Sequence, residues 1–300
     1  HAHSEEEGLS RVAGNLQERS SGFFFSHPVA WDYSDPMLSV NDHNREAWDE
    51  LARQQIPLAR PAGGKEFAKP QFIINPFGWV DFEVRGRKVL CLAAGGGKHS
   101  LLFAAAGAET TVVDISPQML NLDRELAAAR GLTVNVVEAS MDDLSALPEA
   151  YFDLVVQPVS TCYVPAVAPV YREVARVTAT GGLYISQHKQ PANLQASLRI
   201  SPLGYTLMES YYRSGPLPPV PPGSALRESG TLEFLHRWDE LLGGLCRAGF
   251  VIEDTFEPKH ADSAAAPGHF GHRCWFIPPY FAIKARRKSS VPVEKKIVLA

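Results

Sequence analysis

Long apolar runs are missing from this chain. No stretch approaches the roughly 20 residues that span a bilayer, so no membrane-crossing helix is expected. Cysteine is scarce: Cys91, Cys162, Cys246 and Cys274 lie far apart, which excludes a disulfide framework and fits a reducing compartment. Charge of one sign is lacking as well. With 29 Lys and Arg against 33 Asp and Glu the net charge is −4, so no basic field draws the protein to nucleic acid or anionic lipid. No internal repeat is visible. What is present is 300 residues at 45% hydrophobic content, enough for a sizeable core in one large domain or one domain with an elaboration. The chain begins His1-Ala2-His3 rather than with Met; the expected compartment is the cytoplasm, or an organellar stroma where a targeting segment has been removed.

Two glycine signatures are also absent. From Gly95 the third glycine of a dinucleotide fingerprint falls at Ser100, and Gly97-Lys98-His99 lacks the hydroxyl residue of a phosphate-cradling Walker loop. The turn that does exist is Val89-Leu90-Cys91-Leu92-Ala93-Ala94-Gly95-Gly96-Gly97, followed by a helix-length segment and a second apolar run ending at Asp114. An apolar run of this kind suits a strand covered on both faces. Gly95 and Gly97 permit a tight turn and close ligand approach, and Asp114 stands where a carboxylate accepts hydrogen bonds from a ribose. A ribose-bearing ligand with a small amino-acid tail fits better than a pyrophosphate.

The organisation around this turn is α/β. Residues 1–22 are polar and acidic and are expected to lack order; Phe23-Phe24-Phe25, Trp31 and Tyr33 form an aromatic segment. Asn41 or Asp42 is the expected cap of a helix to about Gln55, and 57–80 read as an irregular approach. Regular alternation then begins: strand 88–93, helix 98–106, strand 110–114, helix 117–130 capped by Ser116 and stopped by Gly131, strand 133–138, a short helix near 141–147, strand 152–157, helix 165–179 and strand 182–187. Strands alternating with helices imply a doubly wound, mostly parallel sheet with right-handed crossovers. The prolines of 188–228 mark a loop-rich insertion, expected as a lid. Helix signal returns at 229–247, and Phe250–Phe256 and Cys274–Ala285 read as two last strands, which makes seven. The division expected is 1–80 as extension and cap, and 81–300 as the sheet domain.

At this point the residues resemble the class I S-adenosylmethionine-dependent methyltransferases over roughly 88–285, and the whole chain resembles uncharacterised bacterial and cyanobacterial members of that class. The glycine turn corresponds to the first motif, with Cys91 in the acidic place and Ala93 in the first glycine place. Asp114 matches the ribose-gripping motif, and Ile115-Ser116-Pro117-Gln118-Met119 resembles its usual continuation. Ala139-Ser140-Met141 replaces the Gly-Asp-Ala step beneath the adenine; Phe152–Val156 and Arg176–Gly182 match the fourth strand and the step into the fifth. The resemblance implies a class I Rossmann-like fold with an N-terminal helical cover and an insertion after strand 5. It implies S-adenosylmethionine as cofactor, S-adenosylhomocysteine as product, and contacts from Ala93, Gly95, Gly97, Asp114, Ile115, Met119, Ser140, Met141, Asp142 and Gln157.

Methyl transfer from a sulfonium is an in-line displacement that needs alignment and dryness rather than a metal. The acceptor belongs at the carboxyl ends of strands 4 and 5, near Gln157–Tyr163 and Gln187-His188-Lys189. His188 is the expected general base, because it follows strand 5 and titrates near neutrality. Tyr163, Tyr205, Tyr212, Arg227 and His236 are the expected acceptor contacts, with Tyr211 and Trp238 nearby and Trp31, His43, Asn44 and Trp48 as an opposite wall. Three look-alikes carry less. Thr161 precedes Cys162 where a nucleophilic cysteine would follow proline; Ile277-Pro278-Pro279-Tyr280 falls in the last strand rather than after the fourth; and His269, His272 and Cys274 lack a second pair for zinc. The basic run 284–288 reads as a solvated strand end. The expected activity is methylation of a small molecule. A non-catalytic S-adenosylmethionine sensor or scaffold stays open, as does an RNA methyltransferase at lower rank; no membrane partner is expected, and the oligomeric state is open.

Overall fold

Alternate residues of the first strand face opposite ways, and each set has its own hydrophobic layer. In the computed structural model, which describes residues 39–221 and 224–288, Leu90 and Leu92 pack into one core cluster while Val89 and Cys91 pack into another. The strand is therefore buried on both faces, as its unbroken apolar sequence predicts. The acidic stretch 1–22, the aromatic segment 23–33 with Trp31, and the tail from 289 lie outside the described residues.

Seven strands form one sheet in the order β3-β2-β1-β4-β5-β7-β6. They are β1 (Lys88–Leu92), β2 (Glu109–Asp114), β3 (Asn135–Glu138), β4 (Phe152–Gln157), β5 (Thr178–Lys189), β6 (Phe250–Phe256) and β7 (Tyr280–Arg287). Pairings among β1 to β5 are parallel; β7 runs antiparallel to both β5 and β6. The chain winds outward from β1 to β3, then restarts at β4 on the other side. That reversal opens a crevice at the carboxyl ends of β1 and β4.

Four longer helices position the site: α1 (Val40–Arg53), α2 (His99–Ala105), α3 (Pro117–Arg130) and α4 (Val167–Val177). In α4, Val167, Val170, Tyr171, Val174 and Val177 fall on one stripe and are buried. Each valine so buried contributes about 1.5–3 kcal/mol. In α3 the Ser116 hydroxyl accepts from the Met119 N–H at 3.1 Å, Pro117 opens the first turn, and Gly131 closes the helix at φ +63°. The cap of α1 is Ser39 rather than Asn41 or Asp42; its hydroxyl accepts from the Asp42 N–H. Among the described residues, α1 belongs to the same compact unit as the sheet.

Three expected elements differ, each because backbone groups find partners elsewhere. Residues 141–147 make turns, not a helix: Glu173 accepts from the Leu144 N–H, and Arg176 donates to the Leu144 and Leu147 carbonyls. Residues 229–237 are irregular, since Leu232 and Phe234 donate to Asn44 and Cys162; only Asp239–Gly243 and Gly244–Arg247 coil. The last strand begins at Tyr280, not Cys274, because Pro278 and Pro279 carry no N–H for a ladder and Cys274 ends the short helix Phe270–Arg273. In the insertion, the short helix Pro191–Gln195 and the Ala196–Leu207 bridge that follows it are tied down by the buried Arg273, which donates to Asn193, Ala196 and Ser197. None of the described helices is long and apolar enough to cross a membrane.

Candidate functional site

A cavity of about 530 Å³ opens at the crevice between β1 and β4. One end is built by the glycine turn. Gly95 donates its N–H to Asp114 Oδ2 at 2.9 Å, and the Ser116 N–H donates to Asp114 Oδ1 at 2.9 Å. A Cβ at Gly95 would lie 2.8 Å from the Met119 Cβ and 3.0 Å from Asp114 Oδ2, so only glycine lets the turn close onto that carboxylate. Burial pushes the Asp114 carboxyl up from its usual range, against the backbone donors of Ser116, Gly95 and Ile115. Behind the turn lies a carboxylate that the sequence pattern did not single out. Asp123 on α3 is fully buried and accepts from the Gly96 N–H at 2.8 Å and from the Ser100 hydroxyl. The position that would carry the third dinucleotide glycine is thus used to anchor the loop. Cys91 packs in the core beneath and does not reach the cavity.

Of the expected cofactor contacts, Ala93, Gly95, Asp114, Ile115, Met119, Ser140 and Met141 line the cavity. Gly97, Asp142 and Gln157 do not. Gly97 turns at φ +68° beneath the loop; Asp142 accepts from the Ser140 hydroxyl; Gln157 is buried between Ser160, Met141 and Tyr184, accepting from the Tyr184 hydroxyl at 2.6 Å. Lys98 and His99 line the wall beside the turn without having been expected there. Burial, then the Lys98 charge, pulls the His99 imidazole down to about 4, so it is neutral near pH 7.

The other end is built by α1, the turn after β4, and the ends of β5 and β7. Trp48 meets the Tyr163 ring edge-on with centroids 5.5 Å apart. Asn44 donates to the carbonyls of Tyr163 (2.8 Å) and Leu232 (3.1 Å) and accepts from the Leu232 N–H. Asp49 accepts from the Ser116 hydroxyl and the Gln118 N–H, fastening α1 to the start of α3. Between them lies a buried charged cluster. Lys189 donates to Glu228 Oε2 at 2.7 Å and to Glu233 Oε2 at 2.9 Å, and the Tyr163 hydroxyl donates to Glu228 Oε2 at 2.6 Å. Burial opposes the Lys189 charge, but the adjacent carboxylates outweigh it and hold the ammonium above the usual lysine range. Lys189, Glu228, Tyr163 and Tyr280 all face the cavity.

Several expected acceptor-side residues lie elsewhere. His188 is fully buried on the far face of β5: Thr161 and Ser186 hydroxyls engage its two ring nitrogens at 2.8 Å each, and Phe281 stacks on it. Burial brings its imidazole down to about 3. It has neither access to the cavity nor a free nitrogen, so it is not the base expected there; its neighbours in the strand, Gln187 and Lys189, point the other way and line the cavity instead. Tyr205 donates to or accepts from His272 and packs on Phe276; Tyr212 is 78% exposed; Arg227 donates to the Pro218 carbonyl; His236 is buried against the Thr161 carbonyl. Of the described residues 190–228, Glu228 is the one on the cavity wall, and nothing in its local sequence marked it. Tyr280, set aside with its Pro-Pro step, is on the wall because β7 pairs it with Lys189.

Comparison with known proteins accords with this geometry. Residues 90–186 match the family described as a methyltransferase domain. The chain is 32% identical over 236 residues to the uncharacterized methyltransferase YbaJ of Bacillus subtilis, covering 74% of this chain and 92% of that one. A ubiquinone biosynthesis O-methyltransferase of Bordetella pertussis is 28% identical over 159 residues, 51% of this chain and 64% of that one. A solved S-adenosylmethionine-dependent methyltransferase from Mesorhizobium loti superposes with a TM-score of 0.56 at 25% identity, over 69% of this chain and 93% of that one. The glycine turn, the carboxylate at the end of β2, the β3-β2-β1-β4-β5-β7-β6 sheet and these relatives together make the chain a member of the class I S-adenosylmethionine-dependent methyltransferases.

Proposed function

We propose that the enzyme methylates a small molecule bound at the Lys189–Glu228 end of the cavity. The observation that carries this reading is one continuous cavity with the glycine turn and Asp114 at one end and a buried, hydrogen-bonded charged cluster at the other. The lining between them is mainly apolar (Leu58, Phe77, Met141, Pro158, Val159, Val164), as suits a compact ligand. A nucleic-acid strand would call for a basic surface. The basic run at β7 is instead occupied by acids, with Lys284 3.4 Å from both Asp81 and Glu253 and Arg286 paired with Glu253. The ubiquinone methyltransferase among the relatives is also named for methylating a small molecule at oxygen.

The residues present fit the cofactor. The Asp114 carboxylate already takes two backbone donors and keeps acceptor sites for ribose hydroxyls. Ile115, Met119 and Met141 offer apolar faces to the adenine, and Ser140 a hydroxyl at its edge. Lys98 offers a cation to the methionine carboxylate. When bound, S-adenosylmethionine supplies a methyl group on a positively charged sulfur. The chain's own work is alignment and exclusion of water: α1, fixed at Asn44 and Asp49, closes one side, and the Tyr163 segment closes the other.

Calorimetry with S-adenosylhomocysteine and NAD, followed by transfer of labelled methyl into a metabolite extract, tests the proposal. Binding of the sulfur ligand alone, with label recovered in a low-mass product, is expected. Asp114→Asn should weaken that binding by about 10- to 100-fold, the worth of one charge-assisted hydrogen bond. Label recovered only in RNA would overturn the small-molecule reading.

A further inference from the structure

We infer that the acceptor group is a hydroxyl of a small phenol or enol, held between Lys189 and Glu228, and that Glu228 Oε1 takes its proton. This rests on the methyltransferase reading of the cavity and goes to the atom methylated. Both donors that reach Glu228, the Tyr163 hydroxyl and the Lys189 ammonium, bind the same oxygen, Oε2. Among the described residues no donor reaches Oε1, and Glu228 lines the cavity. Lys189 has three N–H donors and uses two of them, on Glu228 and Glu233. The wall therefore offers a fixed acceptor beside a fixed donor.

That pair selects among acceptor groups. A hydroxyl both donates and accepts, so it satisfies both atoms at once. A carboxylate only accepts and would face Glu228 with like charge; an ammonium only donates and would face Lys189 with like charge. Among hydroxyls, a carboxylate base favours an acidic one. Phenols ionise near 10, as tyrosine does, whereas water-like hydroxyls ionise near 15.7. The Lys189 charge stabilises the oxyanion as it forms, inside a site drier than bulk water. Trp48, Phe77, Tyr163 and Tyr280 supply flat apolar walls for a planar molecule.

The step balances without another reactant. The acceptor oxygen forms its bond to the methyl carbon as the carbon–sulfur bond breaks, that bond's electron pair remains on sulfur, and the hydroxyl proton passes to Glu228. The titratable and charged groups around Glu228 are Lys189 on β5, Tyr163 and Cys162 in the turn after β4, Tyr280 on β7, and Arg227 and Glu233 on its own segment. His260 also lines the cavity, but no hydrogen bond among the described residues orients it; it packs edge-on against Phe270 and Tyr280.

The test uses the full chain loaded with S-adenosylhomocysteine and three probes: 4-nitrophenol, 4-nitroanisole and 4-nitrobenzoate. Binding of S-adenosylhomocysteine alone is measured first; its failure counts against the methyltransferase site, not against the acceptor assignment. In the loaded protein, kept one to two pH units below the phenol's own pKa so that the probe remains a hydroxyl, 4-nitrophenol should bind at least tenfold tighter than either of the other two, because each leaves one polar atom of the pair unpaired. E228Q keeps the shape and the contacts to Tyr163 and Lys189, and should shrink the margin over 4-nitrobenzoate while leaving S-adenosylhomocysteine affinity unchanged. With S-adenosylmethionine present, E228Q should lose about 100-fold in methylation of 4-nitrophenol below the phenol's own pKa and regain rate above it, where the proton is already gone. No binding of 4-nitrophenol, equal binding of all three probes, or a pH rescue that follows His260→Gln instead of E228Q would overturn the assignment.

Discussion

At the residue scale the most consequential side chains are those the fold buries with a shifted charge equilibrium. His188 and His99 are held at about 3 and about 4, and His236 is also lowered, in each case chiefly by burial. A histidine with a folded pKa below its ordinary 6.5 binds fewer protons folded than unfolded, so its contribution to stability is lost as pH falls from about 6.5 toward 4. Asp123 acts in the opposite direction. Burial raises it to about 6, so between about 6 and 4 the folded state binds the extra proton and gains stability as pH falls. Asp114 and Glu233, also raised by burial, act in the same sense as Asp123, but the lowered histidines begin to lose stability first, as pH falls through about 6.5. The urea midpoint should therefore drop between pH 7 and pH 5, and drop less in His188→Gln; a midpoint that climbs steadily over that interval would refute the assignment. Asp123→Asn should steepen the acid loss, because it removes one of the compensating groups. Asp114 was legible from its place at the end of an apolar run. Asp123 and Glu228 were not, because nothing local marks them; each matters through a partner far away in sequence.

At the scale of elements, α1 is joined to the rest by polar groups as much as by packing. Asn44 alone makes three hydrogen bonds, to Tyr163 and Leu232, across more than a hundred residues of chain. Asn44→Ala strands the Leu232 N–H and two carbonyls, each costing about 1–3 kcal/mol when left buried and unpaired. Hydrogen exchange should rise across 40–53 and near 232, while amides of β1 and β4 keep their protection; uniform loss of protection would instead mean that α1 and the sheet unfold together. The same scale explains what the sequence could and could not yield. Strand β4 and helix α3 were legible to the residue, since strong periodicity and caps are local. The helix expected near 141–147 was not formed, because Glu173 and Arg176 on α4 claim its backbone groups.

For the whole molecule, the cavity end proposed for the cofactor is lined by α1 and by the segments that follow β1, β2 and β3, so ligand binding should stabilise the sheet domain as a unit. At a hundredfold excess over Kd a ligand specific to the folded state adds about 2.7 kcal/mol. For a domain of this size that is roughly 5–10 °C in Tm. Scanning calorimetry with S-adenosylhomocysteine should show a shift of that order and NAD none; an equal shift with NAD would contradict the reading of Ser100 as a loop anchor rather than a lost glycine.

The sequence by itself determined the class of fold, the order of its strands along the chain, and the carboxylate at the end of β2 that lines the cavity. These follow from side-chain periodicity, glycine φ freedom and helix caps, all of which act over a few residues. The tertiary structure alone decided what lines the opposite end of the cavity. Whether His188 or Lys189 faces the cavity turns on a one-residue alternation along β5, fixed only by its pairing with β4 and β7. Glu228 reaches the wall because Lys189, Tyr163 and Glu233 hold it there, and a cluster of buried charges exists only where the chain has brought its members together.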